Sequence, residues 1–538
     1  MIDVTAARNS GLPVLLAMLT LVTGCSGGAV PVHPSPTRPS RTAPVKRPVI
    51  ASASPTNGLD VAAENAKPGS RDWRIKRLGS RGAIEGFATR TDLLPGQPLH
   101  LAVSTAAPRY RVRAFRAGWY GGAAMRQVFV SADLPGRLQR APKLISPTDT
   151  VSTGWRPTAT IQTTGWPPGA YLLRLDASTG GQRFVPVTIR SEHAKGALLL
   201  LNAVTTWQAY NAWGGYSLYH GPGGESDFTH RSRVVSFDRP YGNDGQGDFI
   251  GNELPAISLA EKLNLPLAYA TDVDLHGDAH LLDGARGLIS LGHDEYWSTA
   301  MRHSATVARD QGVNIAFLGA NAVFRHIRLA DGPLSDGADR AYRMEVNYKR
   351  PTGDPANGKN NPEVTVDWRE PPVSKPESSL TGTLYECNPV RADLVVTDPS
   401  SWLWRGVASA GTHVPGMVGS EYDRVNPGAP TPGGIEVLTH SPVRCRGIRS
   451  YSDSAYYVVP SGAGVFDAGT SAWVAALDPT CTRCITTRRG TAQITAVTTR
   501  LLHAMAAGPM ALSHPAAGNL AHLHEYSGDP IAARVNAR

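Results

Sequence analysis

The chain has 538 residues, of which 41% are hydrophobic and 18% are charged, and its formal net charge is +9. This composition excludes a disordered chain and favours two or three folded domains with sizeable cores. The basic residues do not form a dense Lys/Arg run interleaved with aromatic residues, so no nucleic-acid partner is predicted. The sequence instead favours attraction of the positive charge to an anionic surface of the cell envelope.

The N-terminal segment, residues 1–25, indicates in which cellular compartment the protein resides. It contains the apolar run GLPVLLAMLTLVTGC, which is too short to span a bilayer as a helix and is typical of a secretory signal peptide. The run ends in LVTGC, which resembles the lipobox of bacterial lipoproteins, where cleavage precedes the cysteine and lipid is attached to it. We therefore expect a lipid anchor on Cys25 and a location on the extracytoplasmic face of the cell membrane. An ordinary secretory signal with a chance cysteine is the alternative.

Two segments of different character follow the signal. Residues 26–56 are rich in Pro, Ser and Thr with almost no large apolar residues, which predicts a disordered linker that holds the folded part away from the membrane. Residues 57–192 contain short alternating segments separated by Pro/Gly turns, among them GQPLHLAVST, RYRVRAFRAGWY, GAYLLRLDAS and GQRFVPVTIR. Spacing of this kind predicts an antiparallel β-sandwich domain.

The pattern changes in residues 193–538. GALLLLNAV is a continuous apolar run, as expected of a strand buried on both faces, and LPAISLAEKLN has helical spacing. The segments LAYAT, GLISL and GVNIAFLGA continue an alternation of strands and helices that is typical of a doubly wound α/β sheet. Ligands of such sheets bind beyond the carboxyl ends of the strands. Three polar segments fall there: NAVTTWQAYNAW, LGHDEYWS and GANAVFRHIRL.

Four cysteines remain after Cys25, and an even number in an exported chain favours disulfides. We expect Cys387 to pair with Cys445, and Cys481 to pair locally with Cys484. Zinc is the alternative for the CTRC segment, although no second Cys/His pair at ligand spacing lies nearby.

The turn LGHDEYWS occupies the place between strand and helix where the serine nucleophile stands in α/β hydrolases. The sequence has no G-x-S-x-G, H-E-x-x-H or G-x-x-x-x-G-K-[ST] motif. The turn carries an acid, an imidazole and a phenol, which are groups that bind a hard metal ion or transfer protons.

Several of these segments together resemble one known family. FRAGWYGGAAMR, TTWQAYNAWGG, LGHDEYWS and FLGANAVFR are similar, in this order, to the large (beta) subunit of N,N-dimethylformamidase and its relatives. The resemblance implies a β-rich N-terminal region followed by a domain resembling class I glutamine amidotransferases without their cysteine. It also implies a mononuclear ferric iron, held by two tyrosines and a glutamate, that serves hydrolysis of a small amide. The family enzyme uses an additional small subunit, so the resemblance leaves the substrate of this chain open.

The resemblance also implies site residues, when it is carried over position by position. It places the glutamate ligand of the iron at Glu295 and the two tyrosine ligands at Tyr210 and Tyr171. The implied catalytic residues are His293, Asn321 and Glu421. Phenolate and carboxylate oxygens are hard donors that suit ferric iron. In this interpretation Glu421 accepts a proton from water, and His293 or Asn321 stabilises the oxyanion.

Each of these residues also has an ordinary structural interpretation. Tyr171 is a candidate core residue of a strand, Asn321 a turn residue, and Glu421 an ion-pair partner of Arg424. His293 is a candidate helix cap.

Two other functions stay open at this point. The aromatic residues between Trp207 and Tyr219 could serve a non-catalytic cell-envelope module that binds glycans. Glycosidase action by Glu295 with Asp294 or Glu421 is disfavoured, because adjacent acids rarely face each other across a substrate. The sequence makes no prediction of oligomeric state.

Overall fold

The computed structural model describes residues 58–333, 337–478 and 485–523. The chain is mostly sheet with few helices, at 32% strand and 19% helix. The strands form several separate sheets rather than one. The predicted signal peptide and linker, including Cys25, lie outside the described residues, as do Cys481 and Cys484. Within the described ranges no helix is both long and apolar enough to cross a membrane.

The N-terminal part is built from strands after one short helix. In chain order the elements are α1 (Val61–Asn65), β1 (Ile84–Ala88), β2 (Asp92–Leu93), β3 (Pro98–Thr105), β4 (Arg109–Ala117), β5 (Met125–Val130), β6 (Leu134–Pro135), β7 (Lys143–Ile145), β8 (Thr150–Ser152), β9 (Ala159–Gln162), β10 (Gly169–Ala177) and β11 (Gln182–Ile189). The four segments predicted as strands contain β3, β4, β10 and β11, so these strand predictions are confirmed.

Two sheets of this part share an apolar core. One has the order β1-β3-β9, and the other has the order β2-β11-β10-β4-β5 with β6 beside β4. Side chains of both sheets, such as Leu101 and Val103 of β3 and Leu173 and Leu175 of β10, lie in one buried cluster. Residues two apart on a strand point to the same face, which explains why alternate positions are apolar.

After β11, helices and strands alternate along the chain more often than they do in the N-terminal part. The helices are α2 (Val204–Tyr210), α3 (Phe249–Asn252), α4 (Leu254–Lys262), α5 (Asp272–Gly277), α6 (Thr299–Asp310), α7 (Ser378–Thr381) and α8 (Arg488–Ala507). The strands are β12 (Leu198–Asn202), β13 (Val234–Ser236), β14 (Leu267–Thr271), β15 (Gly287–Ser290), β16 (Tyr296–Ser298), β17 (Asn314–Phe317), β18 (Arg325–Ala330), β19 (Met344–Val346), β20 (Leu384–Val395), β21 (His413–Arg424), β22 (Glu436–Cys445), β23 (Ile448–Val458) and β24 (Gly464–Asp467).

The largest sheet has seven strands in the order β14-β12-β15-β17-β24-β23-β22. The first five strands run parallel, and β23 and β22 run antiparallel to their neighbours. On β12, Leu198 and Leu200 pack in a cluster with α4 and α8, whereas Leu199 and Leu201 pack in a cluster with α5 and α6. Both faces are therefore covered, which explains the uninterrupted apolar run.

A long hairpin of β20 and β21 is inserted before the last strands of this sheet. A disulfide between Cys387 of β20 and Cys445 of β22 joins the hairpin to the sheet. This predicted pairing is therefore confirmed. The hairpin lies beside the edge at which β12, β15 and β17 end, and it contributes Asn388 and Glu421 to that edge.

A buried ion pair joins the N-terminal strands to the parallel sheet. Arg116 of β4 lies 2.7 Å from Glu261 of α4, and both side chains are fully buried. Arg116 also donates to the carbonyl oxygen of Pro168, and the hydroxyl of Tyr269 donates to Glu261. A Cβ at Gly118 would lie 2.4 Å from the Glu261 carboxylate, so only glycine fits there. The AGWYGG segment therefore has a structural role at this contact.

We predict that Arg116→Ala lowers the free energy of unfolding by about 3–5 kcal/mol, because Glu261 then remains buried and unpaired. The matched control is Arg113→Ala on the same strand, which breaks the partly exposed pair with Asp176. That change should cost at most about 1 kcal/mol. Urea denaturation of the purified proteins measures both values, and equal losses would contradict the prediction.

Candidate functional site

Glu295 is fixed in the turn between β15 and β16. Its side chain is 1% exposed. Its backbone N–H donates to the hydroxyl of Thr206 (2.9 Å), and its carbonyl oxygen accepts from the N–H of Arg325 (2.8 Å). Gly292 has a φ of 52°, and a Cβ there would lie 2.2 Å from the carbonyl oxygen of Asn252. The turn therefore requires glycine, and it holds the Glu295 carboxylate in one position.

Two tyrosine hydroxyls meet this carboxylate. Tyr210, the last residue of α2, donates to Oε2 at 2.7 Å, and Tyr219 donates to Oε1 at 2.9 Å. The two phenol oxygens lie 2.9 Å apart, and the rings stack at 4.4 Å between centroids. The hydroxyl of Tyr296 donates to that of Tyr219 at 2.8 Å. Four oxygen atoms from two phenols and one carboxylate thus converge on one small volume.

Arg325 and Lys349 lie beside this cluster, and burial lowers the pKa of the Lys349 amine well below its usual range. Arg325 lies 3.3 Å from Oε1 of Glu295 and also pairs with Asp367. Nζ of Lys349 lies 3.2 Å from the ring centroid of Tyr219. Burial raises the pKa of the Tyr219 phenol well above its usual range, and the charge of Glu295 raises it further while Arg325 opposes the shift. In this structure the Tyr219 hydroxyl donates a hydrogen bond to Glu295.

A second polar group adjoins the first through His293. Its Nε2 atom lies 3.1 Å from Glu421 and 3.5 Å from Glu295. Asn321 and Asn388 each donate a side-chain hydrogen bond to Glu421, at 3.2 and 2.9 Å. Burial would lower the pKa of His293, but the charges of Glu421 and Glu295 raise it to about 9. Burial would likewise raise the pKa of Glu421, but His293 holds it below its usual value.

Glu295 and both phenols line one cavity of about 190 Å³ together with Asn321, Asn388 and Glu421. His293 lines an adjoining cavity of about 590 Å³, which shares Tyr210 and Glu421 with the first. Within the described residues, Oδ1 of Asn321 is buried without a hydrogen-bond partner. Nε2 of His293 also lacks an aligned hydrogen bond, although it lies close to Glu421. Buried polar groups are nearly always satisfied, so unpartnered atoms at a cavity indicate that a ligand or water completes them.

The structure does not bring Tyr171 to this site. Its hydroxyl donates to the carbonyl oxygen of Pro167 at 2.6 Å, and its ring stacks on Trp166 in the core shared by the N-terminal sheets. The assignment of Tyr171 as a partner of Tyr210 and Glu295 therefore has to be corrected. Its position on β10 directs it into the core together with Leu173, and Tyr219 is the second phenol beside Glu295.

Among the other predicted residues, the structure brings together Tyr210, Glu295, His293, Asn321 and Glu421. Sequence reasoning missed Asn388, and it considered Tyr219 only as one of several aromatic residues. Both lie in irregular segments, Tyr219 in a loop and Asn388 at a bulge of β20. Neither has a periodic pattern that could have identified it. Glu421 contacts Asn321, Asn388 and His293, and Arg424 pairs with Glu386.

The donor set fits the iron that the resemblance implied. Two phenols and a carboxylate are hard oxygen donors, which suit ferric iron better than a softer metal ion. In the described part of the chain, no group of three or more His, Cys, Asp or Glu residues is arranged to hold a metal ion. The oxygen cluster consists of one carboxylate and two tyrosine hydroxyls, so it does not belong to this type of group.

We predict that Asn321→Ala is less stable than Asn321→Gly by about 1–2 kcal/mol, because Asn321 has a φ of 62° and a Cβ is disfavoured in the left-handed region. Both variants remove the amide that bonds Glu421, so their difference reports the backbone alone. Urea denaturation measures it. An alanine variant as stable as the glycine variant would show that the backbone is not held in this conformation.

Comparison with known proteins places the chain in a family. The profile described as N,N-dimethylformamidase beta subunit-like, C-terminal, matches residues 111–484. No curated protein matches the sequence. The matched region contains all the residues of the oxygen cluster and of the group around Glu421. On this match, which covers well over half of its length, the chain belongs to the N,N-dimethylformamidase beta subunit-like family.

Proposed function

We propose that this protein is a hydrolase of carbon–nitrogen amide bonds that uses a ferric ion held by Tyr210, Tyr219 and Glu295. The observation that carries the proposal is the convergence of two phenol oxygens on one buried carboxylate at the wall of a cavity. The family is named for an amidase, which supports the same reaction class. A structural cluster would not need a cavity or an unpartnered Asn321 oxygen beside it.

The neighbouring residues supply the proton transfers of such a reaction. When bound, the iron supplies Lewis acidity, which polarises a carbonyl group and lowers the pKa of water. Glu421 accepts a proton from the water that attacks the amide carbon, and the protonated His293 stabilises the negative charge that develops on the carbonyl oxygen. The C–N bond then breaks, and Glu421 returns the proton to the leaving amine. Oδ1 of Asn321 can accept a hydrogen bond from the water or from an amide N–H.

The same proposal includes a fold relationship and a location. The parallel strands, with helices of both cores on either side of β12, support a doubly wound sheet like that of class I glutamine amidotransferases. The disulfide between Cys387 and Cys445 supports an oxidising compartment. We propose export of the protein and a lipid anchor at Cys25, with the β-sandwich and the catalytic domain on the extracytoplasmic face. A small amide is the proposed substrate.

The alternative of a non-catalytic glycan-binding module has less support from the aromatic residues. The hydroxyls of Tyr210 and Tyr219 are directed at Glu295, and Trp207 is 4% exposed. The two tyrosine hydroxyls are therefore bonded within the candidate site, and Trp207 is buried in the core. These three residues do not form an open platform of the kind that a module without chemistry would need.

We predict that Tyr219→Phe and Glu295→Gln lower the affinity for ferric iron at least about tenfold, because each removes an oxygen ligand. Tyr171→Phe is the matched control, since it removes a buried tyrosine hydroxyl elsewhere. Elemental analysis gives the iron content, and the visible phenolate-to-iron charge-transfer band reports tyrosine ligation directly. The metal assignment is wrong if Tyr219→Phe keeps its iron and its colour.

We predict that Glu421→Gln lowers kcat for amide hydrolysis by about 10²–10⁴-fold while the iron content stays unchanged, because a general base is lost but no ligand is. Glu192→Gln, at an exposed position, is the control. Amine release from small amides such as formamide and N,N-dimethylformamide measures the rate. Full activity of Glu421→Gln would show that Glu421 is not the general base of the reaction.

A further inference from the structure

Arg446 lines the cavity that contains Glu295, and it is exposed, so it lies at the opening of that cavity. It belongs to the tight turn between β22 and β23, which consists of Arg446 and Gly447. These two residues have φ values of 49° and 85°. Hairpin turns with a positive φ at both positions favour asparagine followed by glycine. The backbone of the turn therefore gives no reason for an arginine here, which directs attention to what its side chain contacts.

The guanidinium group of Arg446 is held beside the cavity by Asn388. Its Nε atom donates to the carbonyl oxygen of Asn388 at 3.0 Å, and Nη2 lies 3.5 Å from Oδ1 of the same residue. The side-chain amide of Asn388 in turn donates to Glu421 at 2.9 Å. The disulfide between Cys445 and Cys387 joins the residues that precede Arg446 and Asn388, so it fastens the turn at this place. Only the side chain of Asn388 thus separates Arg446 from Glu421, and the other N–H groups of the guanidinium remain available.

The charges at this cavity leave Arg446 without an anionic partner. Each carboxylate that lines the cavity has a basic partner of its own: Glu295 pairs with Arg325, Glu421 with His293, and Glu386 with Arg424. Arg325 also pairs with Asp367. Among the described residues, no carboxylate forms an ion pair with Arg446. The described wall of the cavity therefore carries an uncompensated positive charge at its opening.

A carboxylate is the ligand that matches this charge. A guanidinium presents its N–H groups in one plane, and two of them can bond the two oxygens of a carboxylate. A singly charged anion balances the charge of Arg446, whereas a doubly charged phosphate group would leave negative charge in excess beside Glu295 and Glu421. A neutral amide such as formamide gains no ionic contact from Arg446. The position and charge of this side chain therefore favour a substrate that carries a carboxylate as well as an amide.

We propose that Arg446 determines specificity and that the substrate amide carries a carboxylate within a few bonds of the C–N bond that breaks. This inference rests on the proposed function, because it requires that the amide is hydrolysed beside Glu421. The short separation follows from Asn388, which contacts both Arg446 and Glu421. Hydrolysis adds a water oxygen to the acyl carbon and a proton to the amine nitrogen, and the carboxylate that binds Arg446 is unchanged. It belongs to the acyl half or to the amine half of the substrate, and the experiment distinguishes the two.

The experiment compares kcat/KM of the iron-loaded full chain for two matched pairs of amides. Succinamate, with its carboxylate on the acyl side, is compared with the neutral isostere 4-methylpentanamide. N-formylglycine, with its carboxylate on the amine side, is compared with N-isobutylformamide. Release of ammonia or amine measures the rate. We expect the carboxylate compound of at least one pair to be preferred by about tenfold or more. This preference should fall as salt is added, because Arg446 is exposed.

Variants of the turn test whether the preference depends on Arg446. Arg446→Asn removes the guanidinium and suits the turn, because asparagine is favoured at a positive φ, so this variant should fold. It should lower the preference by about tenfold. Arg446→Lys should lower it less, because the positive charge remains without the planar fork. Arg449→Gln is the matched control, since Arg449 is exposed on β23 and does not line the cavity, and it should leave the preference unchanged.

The outcomes separate this inference from the proposed function. If the wild-type chain hydrolyses formamide but prefers neither carboxylate compound, the inference is overturned and the proposed function stands. An equal loss of kcat/KM for both members of a pair in Arg446→Asn also overturns it, because Arg446 then acts only by holding Asn388. If the wild-type chain hydrolyses no amide, the proposed function fails, and calorimetric titration with the same four compounds decides the inference. Binding of a carboxylate compound that is lost in Arg446→Asn then supports the anion site, and binding that does not depend on Arg446, or no binding, refutes it.

Discussion

The candidate site depends on the burial of one carboxylate among two phenols. Glu295 is almost completely inaccessible, and a carboxylate in that position is stable only if its oxygens are bonded. Tyr210, Tyr219 and Arg325 provide these bonds. The backbone of Glu295 is held by Thr206 on one side and by Arg325 on the other. These backbone contacts belong to the fold itself, so they hold the Glu295 carboxylate in place beside the two phenols.

The position of the site follows from the topology of the parallel sheet. Tyr210 follows β12, Glu295 follows β15 and Asn321 follows β17, so adjacent parallel strands deliver their polar residues to one edge. The β20–β21 hairpin covers this edge from outside the sheet and supplies Asn388 and Glu421. The disulfide fastens the hairpin next to Asn388. Two independent parts of the fold therefore meet at the cavity, one carrying the oxygen cluster and the other carrying Asn388 and Glu421.

The parts of this arrangement that sequence can predict are those set by periodicity. Apolar runs identify β12, β15 and β17, and the rule for parallel sheets then places the polar residues after them at one edge. The assignment of Tyr171 as a partner of Tyr210 and Glu295 is wrong. It relies on approximate spacing in the N,N-dimethylformamidase family, whereas the alternation of side chains along β10 places Tyr171 in the core. Its neighbours Leu173 and Leu175 share its core cluster, and their alternation is visible in the sequence. Tyr219 and Asn388 could not be predicted, since loops and bulges place side chains by long-range contacts that leave no local signal.

The most direct test of the central claim is anomalous diffraction at the iron absorption edge from crystals of the iron-loaded protein. We expect one strong peak within bonding distance of the hydroxyl oxygens of Tyr210 and Tyr219 and of the Glu295 carboxylate. A peak elsewhere in the molecule, or iron-loaded crystals with no peak at these three side chains, would contradict the assignment.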